Sequence, residues 1–161
     1  MGAQGFPYVY DTYAVNRSNQ RLLNTTLFPN PSVPLGTQLT SNNIFFDGAN
    51  AVIGNGGTNP KLYTPATWVQ GSSYSHWDET TYPAGDINSL MTFAIGSAEA
   101  IHHPGYITRG LLKDNGWTIY QPLPVELSSF TAKVFGAGEL NLTGEQRRKF
   151  PITASRSSVL K

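Results

Sequence analysis

Glycine and proline punctuate this chain densely enough that loops and turns should dominate, and the best helix candidate lies near residues 105–115. Sixteen glycines and 11 prolines stand among 161 residues. Proline removes a backbone donor and blocks helix interiors, while glycine favours turns. The expected architecture is therefore α+β and loop-rich, with short strands and long connections over residues 1–100 and one helix near 105–115. Hydrophobic residues make up 39% and aromatics 12%, enough apolar material for a packed core at this length.

Charge narrows the function classes. The formal net charge is +1, so bulk charge implies neither a nucleic-acid partner nor an anionic membrane surface. The chain lacks cysteine, which removes disulfides, thiolate catalysis and cysteine zinc sites. No apolar run approaches the roughly 18 residues that mark a membrane span. Met1-Gly-Ala-Gln-Gly is not followed by the charged region and apolar stretch of a secretory signal; an exported protein is expected to carry that signal upstream. Residues 1–144 sum to −3 and residues 145–161 to +4, so the end of the chain is a different kind of sequence.

Taken in order, residues 6–15 (FPYVYDTYAV) alternate in part and read as a strand, with Tyr8, Tyr10 and Tyr13 as packing residues. Residues 16–43 are polar and turn-rich; Pro29, Pro31 and Pro34 forbid a helix through there, while Leu22-Leu23 and Leu27-Phe28 can tuck the loop onto the core. Residues 44–53 (IFFDGANAVI) read as two short strands joined at Asp47-Gly48, or one strand bent there. Asn55-Gly56-Gly57 is a turn. It is followed by Pro60 and a strand-like Lys61-Leu62-Tyr63, a poor context for a phosphate loop. Trp68 is a candidate core anchor.

The stretch from Gly71 to Trp117 gathers the chemistry-bearing residues. It contains all three histidines and the only methionine after Met1. His76 stands in Ser75-His76-Trp77-Asp78-Glu79. Met91 stands in Asn88-Ser89-Leu90-Met91-Thr92. His102-His103 precede Pro104, where the helix begins; Ile107, Leu111 and Leu112 share one face, Arg109 and Lys113 the other, and Gly116 is placed to end it. Gly110 weakens the helix by about 1 kcal/mol relative to alanine, which points to close packing there. Read alone, His76 is equally a surface or hydrogen-bonded structural histidine, and Met91 an ordinary core methionine.

In order and spacing these pieces resemble the C-terminal subdomain of the metzincin zinc peptidases, in the leishmanolysin-like branch and its secreted bacterial relatives. The resemblance spans roughly residues 5–120. It includes Tyr10-Asp11, Leu39-Thr40-Ser41, Phe46-Asp47-Gly48, Asn55-Gly56-Gly57 and Leu62-Tyr63-Thr64-Pro65, which look like the family's insertion before the third zinc-binding histidine. It implies His76 as that third ligand and Met91 as the turn that floors the metal. Asp78 and Glu79 are candidate carboxylates orienting nearby groups, and Asp114, Gly116 and Trp117 match the closing motif. Phe93 departs from the proline usual in the relatives. His102 and His103 are the lesser metal candidates, because neighbours in an extended segment point to opposite faces.

The chain contains no His-Glu-x-x-His. Two zinc ligands and the general base of the family are expected from a segment upstream of Met1, and zinc only in an intact member. The implied substrate is a protein or peptide, and the implied location is secreted or cell-surface. Residues 121–125 (QPLPV) read as a linker. Residues 126–161 read as a truncated β-module with a basic tail: Leu123-Pro-Val-Glu-Leu-Ser-Ser-Phe-Thr-Ala resembles the opening of the β-sandwich module of type IX-secreted Bacteroidetes proteins. After Leu140-Asn141-Leu142-Thr143 the alternation stops, as a frameshift near residue 142 would produce. The alternative function is a non-catalytic surface module in which Trp68, Trp77 and Trp117 stack on glycans; buried tryptophans favour the peptidase scaffold, exposed coplanar ones the glycan module. A third reading gives the chain no independent role.

Overall fold

A computed structural model describes residues 6–119, 125–135 and 139–148. The chain divides into two compact units, Met1–Ile119 and Tyr120–Lys161. The first is a small, loop-rich α+β domain. A 3-10 turn, Val9–Tyr13, leads into β1 (Ala14–Asn16); then follow α1 (Val33–Leu39), β2 (Ile44–Phe46), α2 (Ala49–Gly54) and α3 (Tyr106–Asp114). β1 and β2 are antiparallel, with Ala14 opposite Phe46 and Asn16 opposite Ile44. Single bridges carry the pairing outward, from Phe45 to Lys61, from Leu62 to Trp77 and from Trp77 to Thr92. That succession brings the His76 segment beside the Met91 turn.

The second unit is an antiparallel hairpin of β3 (Val125–Phe135) and β4 (Glu139–Arg148), with a register irregularity between Leu127 and Ser129. β4 runs to Arg148, past the point where the sequence alternation ends. Residues 121–124 of the expected linker and residues 149–161 of the basic tail lie outside the described residues.

Three expectations about local structure are corrected. Of residues 6–15 only Ala14 and Val15 lie in a strand, β1. Ahead of it the Asp11 carboxylate accepts from Tyr8 N at 3.0 Å and Thr12 Oγ1 donates to the Val9 carbonyl at 2.6 Å. Such local side-chain bonds offer the backbone a turn in place of a ladder. Within residues 16–43 a helix does form. Pro34 falls in the first turn of α1, where no N–H is needed, and Ser32 Oγ caps it by accepting from Leu35 N at 3.1 Å.

The third correction concerns residues 44–53, which hold one strand and a helix. Asp114, distant in sequence, caps α2: its Oδ1 accepts from Asn50 N at 3.0 Å and from Asn50 Nδ2 at 2.7 Å, and its Oδ2 accepts from Ala51 N at 2.9 Å. A carboxylate there satisfies orphan donors and meets the positive end of the helix. Gly48 makes room for it, since a Cβ at that position would collide with the Asp114 carboxylate and the Phe46 ring. Three α-helices therefore stand among the described residues of the first unit where one was expected.

The core is aromatic at its centre. Phe46 is fully buried, with the rings of Tyr10, Tyr13 and Trp77 at 5.4, 5.1 and 6.1 Å. Leu22, Phe28, Leu35, Leu62 and Ile107 complete it, so the loop carrying Leu22 and Phe28 does tuck inward. α3 lies where the sequence puts it, with Ile107 buried, Leu111 packed on the core, and Gly116 at φ 90° just past its end. Arg109, expected on the outer face, is partly buried, and one guanidinium nitrogen lacks a hydrogen-bond partner. α2 and α3 meet at glycines: a Cβ on Gly110 would lie 2.5 Å from Ala51 Cα, and one on Gly54 would lie 2.5 Å from the Tyr106 carbonyl oxygen.

Two substitutions test this scaffold. Gly110→Ala adds a helix-propensity gain of at most about 1 kcal/mol but forces a methyl into backbone, an overpacking cost of about 1–3 kcal/mol; the urea midpoint is expected to fall. Asp114→Ala uncaps α2 and is expected to lower stability by about 1–2 kcal/mol in the same measurement.

Candidate functional site

The His76 loop is held by backbone bonds on both edges. Tyr74 N donates to the Tyr63 carbonyl at 2.7 Å, Tyr63 N to the His76 carbonyl at 2.8 Å, and Trp77 N to the Met91 carbonyl at 2.9 Å. Gly71 and Tyr74 both have positive φ, 84° and 72°, and they bend the chain on either side of Ser72. That bend brings the Ser72 carbonyl 2.9 Å from His76 Nδ1. A carbonyl oxygen only accepts, so Nδ1 carries the proton of the neutral ring and Nε2 keeps its lone pair. This is the tautomer a metal-binding imidazole adopts when its other nitrogen is fixed by a carbonyl.

The Met91 turn is built from short-range bonds. Asp86 Oδ1 accepts from Asn88 N at 2.7 Å, and the Asp86 carbonyl accepts from Ser89 Oγ at 2.8 Å. Asn88 Oδ1 accepts from Ile107 N at 3.1 Å, which ties the turn to the start of α3. Gly105, at φ 83°, is required beside it, because a Cβ there would sit 2.7 Å from Asn88 Cα. Phe93 stacks on Tyr63 with ring centres 4.2 Å apart. His76 and Met91 line one small cleft of about 20 Å³ with Tyr10, Leu62, Trp77, Thr108 and Leu111. The structure thus brings together the two residues that the sequence singles out.

The remaining candidates lie elsewhere. Asp78 does not bond to His76: it pairs with Lys61 Nζ at 3.3 Å and accepts from Thr81 N and Oγ1 at 3.1 and 2.6 Å. Glu79 Oε2 is buried without a hydrogen-bond partner. The groups at His76 Nδ1 are the Ser72 carbonyl at 2.9 Å and the Ser75 hydroxyl at 3.1 Å, and of these side-chain motifs do not reveal the carbonyl. His102 and His103 line a separate cleft of about 480 Å³ with Asp86 and Glu99. His103 Nδ1 accepts from Gly105 N at 3.0 Å, so its neutral ring is protonated on Nε2 and offers no free lone pair.

Among the described residues no group of three or more His, Cys, Asp or Glu side chains could hold a metal ion. The residues present fit one zinc ligand, His76, and not a complete zinc site, which takes three protein ligands in catalytic centres.

A larger concavity adjoins this cleft. It measures about 440 Å³ and is lined by Tyr8, Tyr10, Asp11, Leu39, Trp68, Tyr74 and Ser75. Trp68, expected in the core, is 44% exposed. Asp11 is only 2% exposed and accepts from Tyr74 Oη at 2.8 Å, while Tyr10 Oη donates to the Tyr74 carbonyl at 2.8 Å. Burial first, then the charge of Asp11, pushes the Tyr10 phenol well above its ordinary range, and burial does the same for Tyr74. The available signal was Tyr8-x-Tyr10-Asp11, an acid beside alternating aromatics, which the strand reading absorbed as packing.

Comparison of the chain with protein-family models, with curated proteins and with solved structures found no match. The two tautomers are open to direct measurement. Long-range nitrogen–proton correlation spectra of the neutral rings are expected to show His76 protonated on Nδ1 and His103 on Nε2. The opposite pattern at His76 would remove it as an Nε2 ligand.

Proposed function

We propose that this chain is the third-ligand and Met-turn portion of an exported zinc metalloendopeptidase. The observation that carries the reading is the pairing of an Nδ1-fixed His76 with Met91 in one cleft. Trp77 N bonded to the Met91 carbonyl holds the two together. When bound, zinc polarises the scissile carbonyl and activates water. In this chain His76 supplies one nitrogen ligand through Nε2, the Ser72 carbonyl fixes its ring, and Met91 contributes a polarisable apolar wall. One imidazole does not hold zinc usefully, so the chain alone is not expected to hydrolyse peptides. Two further ligands and a general base are required from a His-Glu-x-x-His segment, which this sequence does not contain. A peptide or protein is the substrate, and a secreted or surface location follows from the same reading.

The alternative is a glycan-binding surface module. Trp68 and Trp117 favour it, being 44% and 66% exposed, whereas Trp77 at 2% is a core residue. Sequencing the DNA upstream of Met1 separates the two. The peptidase reading expects an in-frame His-Glu-x-x-His. In the protein that includes it, His76→Ala is expected to reduce zinc-dependent cleavage by more than the roughly 10–100-fold typical of losing a mere outer-shell partner. Upstream DNA with no such motif, or cleavage unchanged by the substitution, would overturn the peptidase reading.

A further inference from the structure

The concavity beside His76 combines features that a packing role leaves unused. Three aromatic side chains on three separate segments, Tyr8, Trp68 and Tyr74, surround it together with Tyr10. Tyr8 and Trp68 are 62% and 44% exposed although both are large and apolar. A carboxylate, Asp11, lies at its base, buried and hydrogen-bonded to Tyr74 Oη and Tyr8 N. Among the described residues no basic side chain lines the cleft or pairs with Asp11. A buried carboxylate is ordinarily paired with a cation; here two neutral donors hold it and lone pairs remain.

Rings around an acidic base are the chemistry that recognises a cation. Ring faces attract a positive group through their quadrupole, and a guanidinium also stacks on them. The volume, about 440 Å³, falls within the roughly 300–1,000 Å³ of small-molecule sites. A sugar would ask for many more polar partners than this mainly apolar lining offers. Tyr10 and Ser75 line both this cleft and the one holding His76 and Met91, so a chain lying past His76 can reach it. Tyr74, whose hydroxyl donates to Asp11 and whose backbone is strained (φ 72°), immediately precedes Ser75 and His76. Backbone outliers of this kind cluster at binding sites.

We infer that this cleft is a subsite for a long cationic side chain, arginine in preference to lysine, of a bound peptide. The inference rests on the peptidase reading for the identity of its ligand, but its test does not require zinc or cleavage. The chain is titrated with N-acetylarginine amide and with N-acetylcitrulline amide, its uncharged isostere, while binding is followed by calorimetry and, where Trp68 is present, by its indole N–H resonance. The arginine probe is expected to bind at least about fivefold more tightly, the size of one solvent-exposed cation–ring contact. Asp11→Asn removes the difference, and Trp68→Ala removes binding. Should Asp11→Asn fail to fold, Tyr8→Ala and Trp68→Ala, both at exposed positions, carry the test. Equal affinity for the two probes, or arginine binding that survives Trp68→Ala, overturns the subsite. So does a Trp68 response to a xylan or cellulose oligosaccharide in place of the arginine probe. An arginine preference in a protein that shows no zinc-dependent cleavage keeps the subsite and discards the peptidase. Cleavage lost in His76→Ala with no arginine preference does the reverse.

Discussion

Trp77 is the side chain on which the first unit turns. Its ring lies edge-on to Phe46 at 6.1 Å and to Tyr82 at 6.5 Å, and its indole Nε1 donates to Thr108 Oγ1 at 3.0 Å. Those contacts join β2, the loop after residue 78 and α3. Its backbone bridges Leu62 on one side and Thr92 on the other. Buried aromatics contribute the largest apolar areas of any side chain, and a buried indole N–H needs an acceptor. Trp77 is satisfied on both counts in the orientation it takes. That orientation fixes the backbone of its neighbour His76, whose carbonyl is bonded to Tyr63 N. The backbone of the site residue is therefore positioned by core packing, and its ring by the Ser72 carbonyl.

The closing segment of the first unit does comparable work by a different means. Asp114 reaches back to the amino end of α2, a helix of six residues that is far too short to be stable in isolation. The Asp114 carbonyl also accepts from Tyr13 Oη at 2.7 Å. Gly54 and Gly110 let the two helices approach until only backbone separates them, and Gly48 leaves room for the Asp114 carboxylate. Trp117, by contrast, is exposed. In the resemblance to the metzincins, Asp114, Gly116 and Trp117 formed one motif. Here the aspartate and the glycine have local structural reasons, capping α2 and ending α3, that hold whatever the chain's function.

What the sequence revealed and what it concealed divide along the range of the interactions. α3 was legible because its determinants are local: proline ahead of the start, apolar residues four apart, glycine after the end. The polar loop carrying Leu22 and Phe28 was legible because hydrophobic residues in such a loop have few places to go. α2 was hidden because its cap comes from residue 114, and α1 because a proline breaks a helix interior but is tolerated in the first turn, where Pro34 falls. His76 and Met91 could be paired only through the order of motifs, since periodicity says nothing about a bridge from Trp77 to Thr92. The concavity at Asp11 was concealed most completely. Tyr8, Tyr10, Trp68 and Tyr74 look like core aromatics in one dimension, and only the fold leaves two of them facing solvent.

The histidines show how little a residue type says without its hydrogen bond. His76 and His103 both have Nδ1 engaged by backbone, yet with opposite consequences. A carbonyl on Nδ1 of His76 leaves the outer nitrogen basic; an amide N–H on Nδ1 of His103 puts the proton on the outer nitrogen. A pair such as His102-His103 draws the eye in a sequence because metal sites are rich in histidine. His76 stands alone in a small-residue loop and is the less conspicuous. The loop supplies what the pair lacks: a carbonyl turned inward by two positive-φ residues, at Gly71 and Tyr74. Ligand competence is thus encoded in the turn that precedes the histidine. The same turn carries Tyr74 to Asp11, so one bend of backbone shapes both the free nitrogen of His76 and the acidic side of the neighbouring cleft.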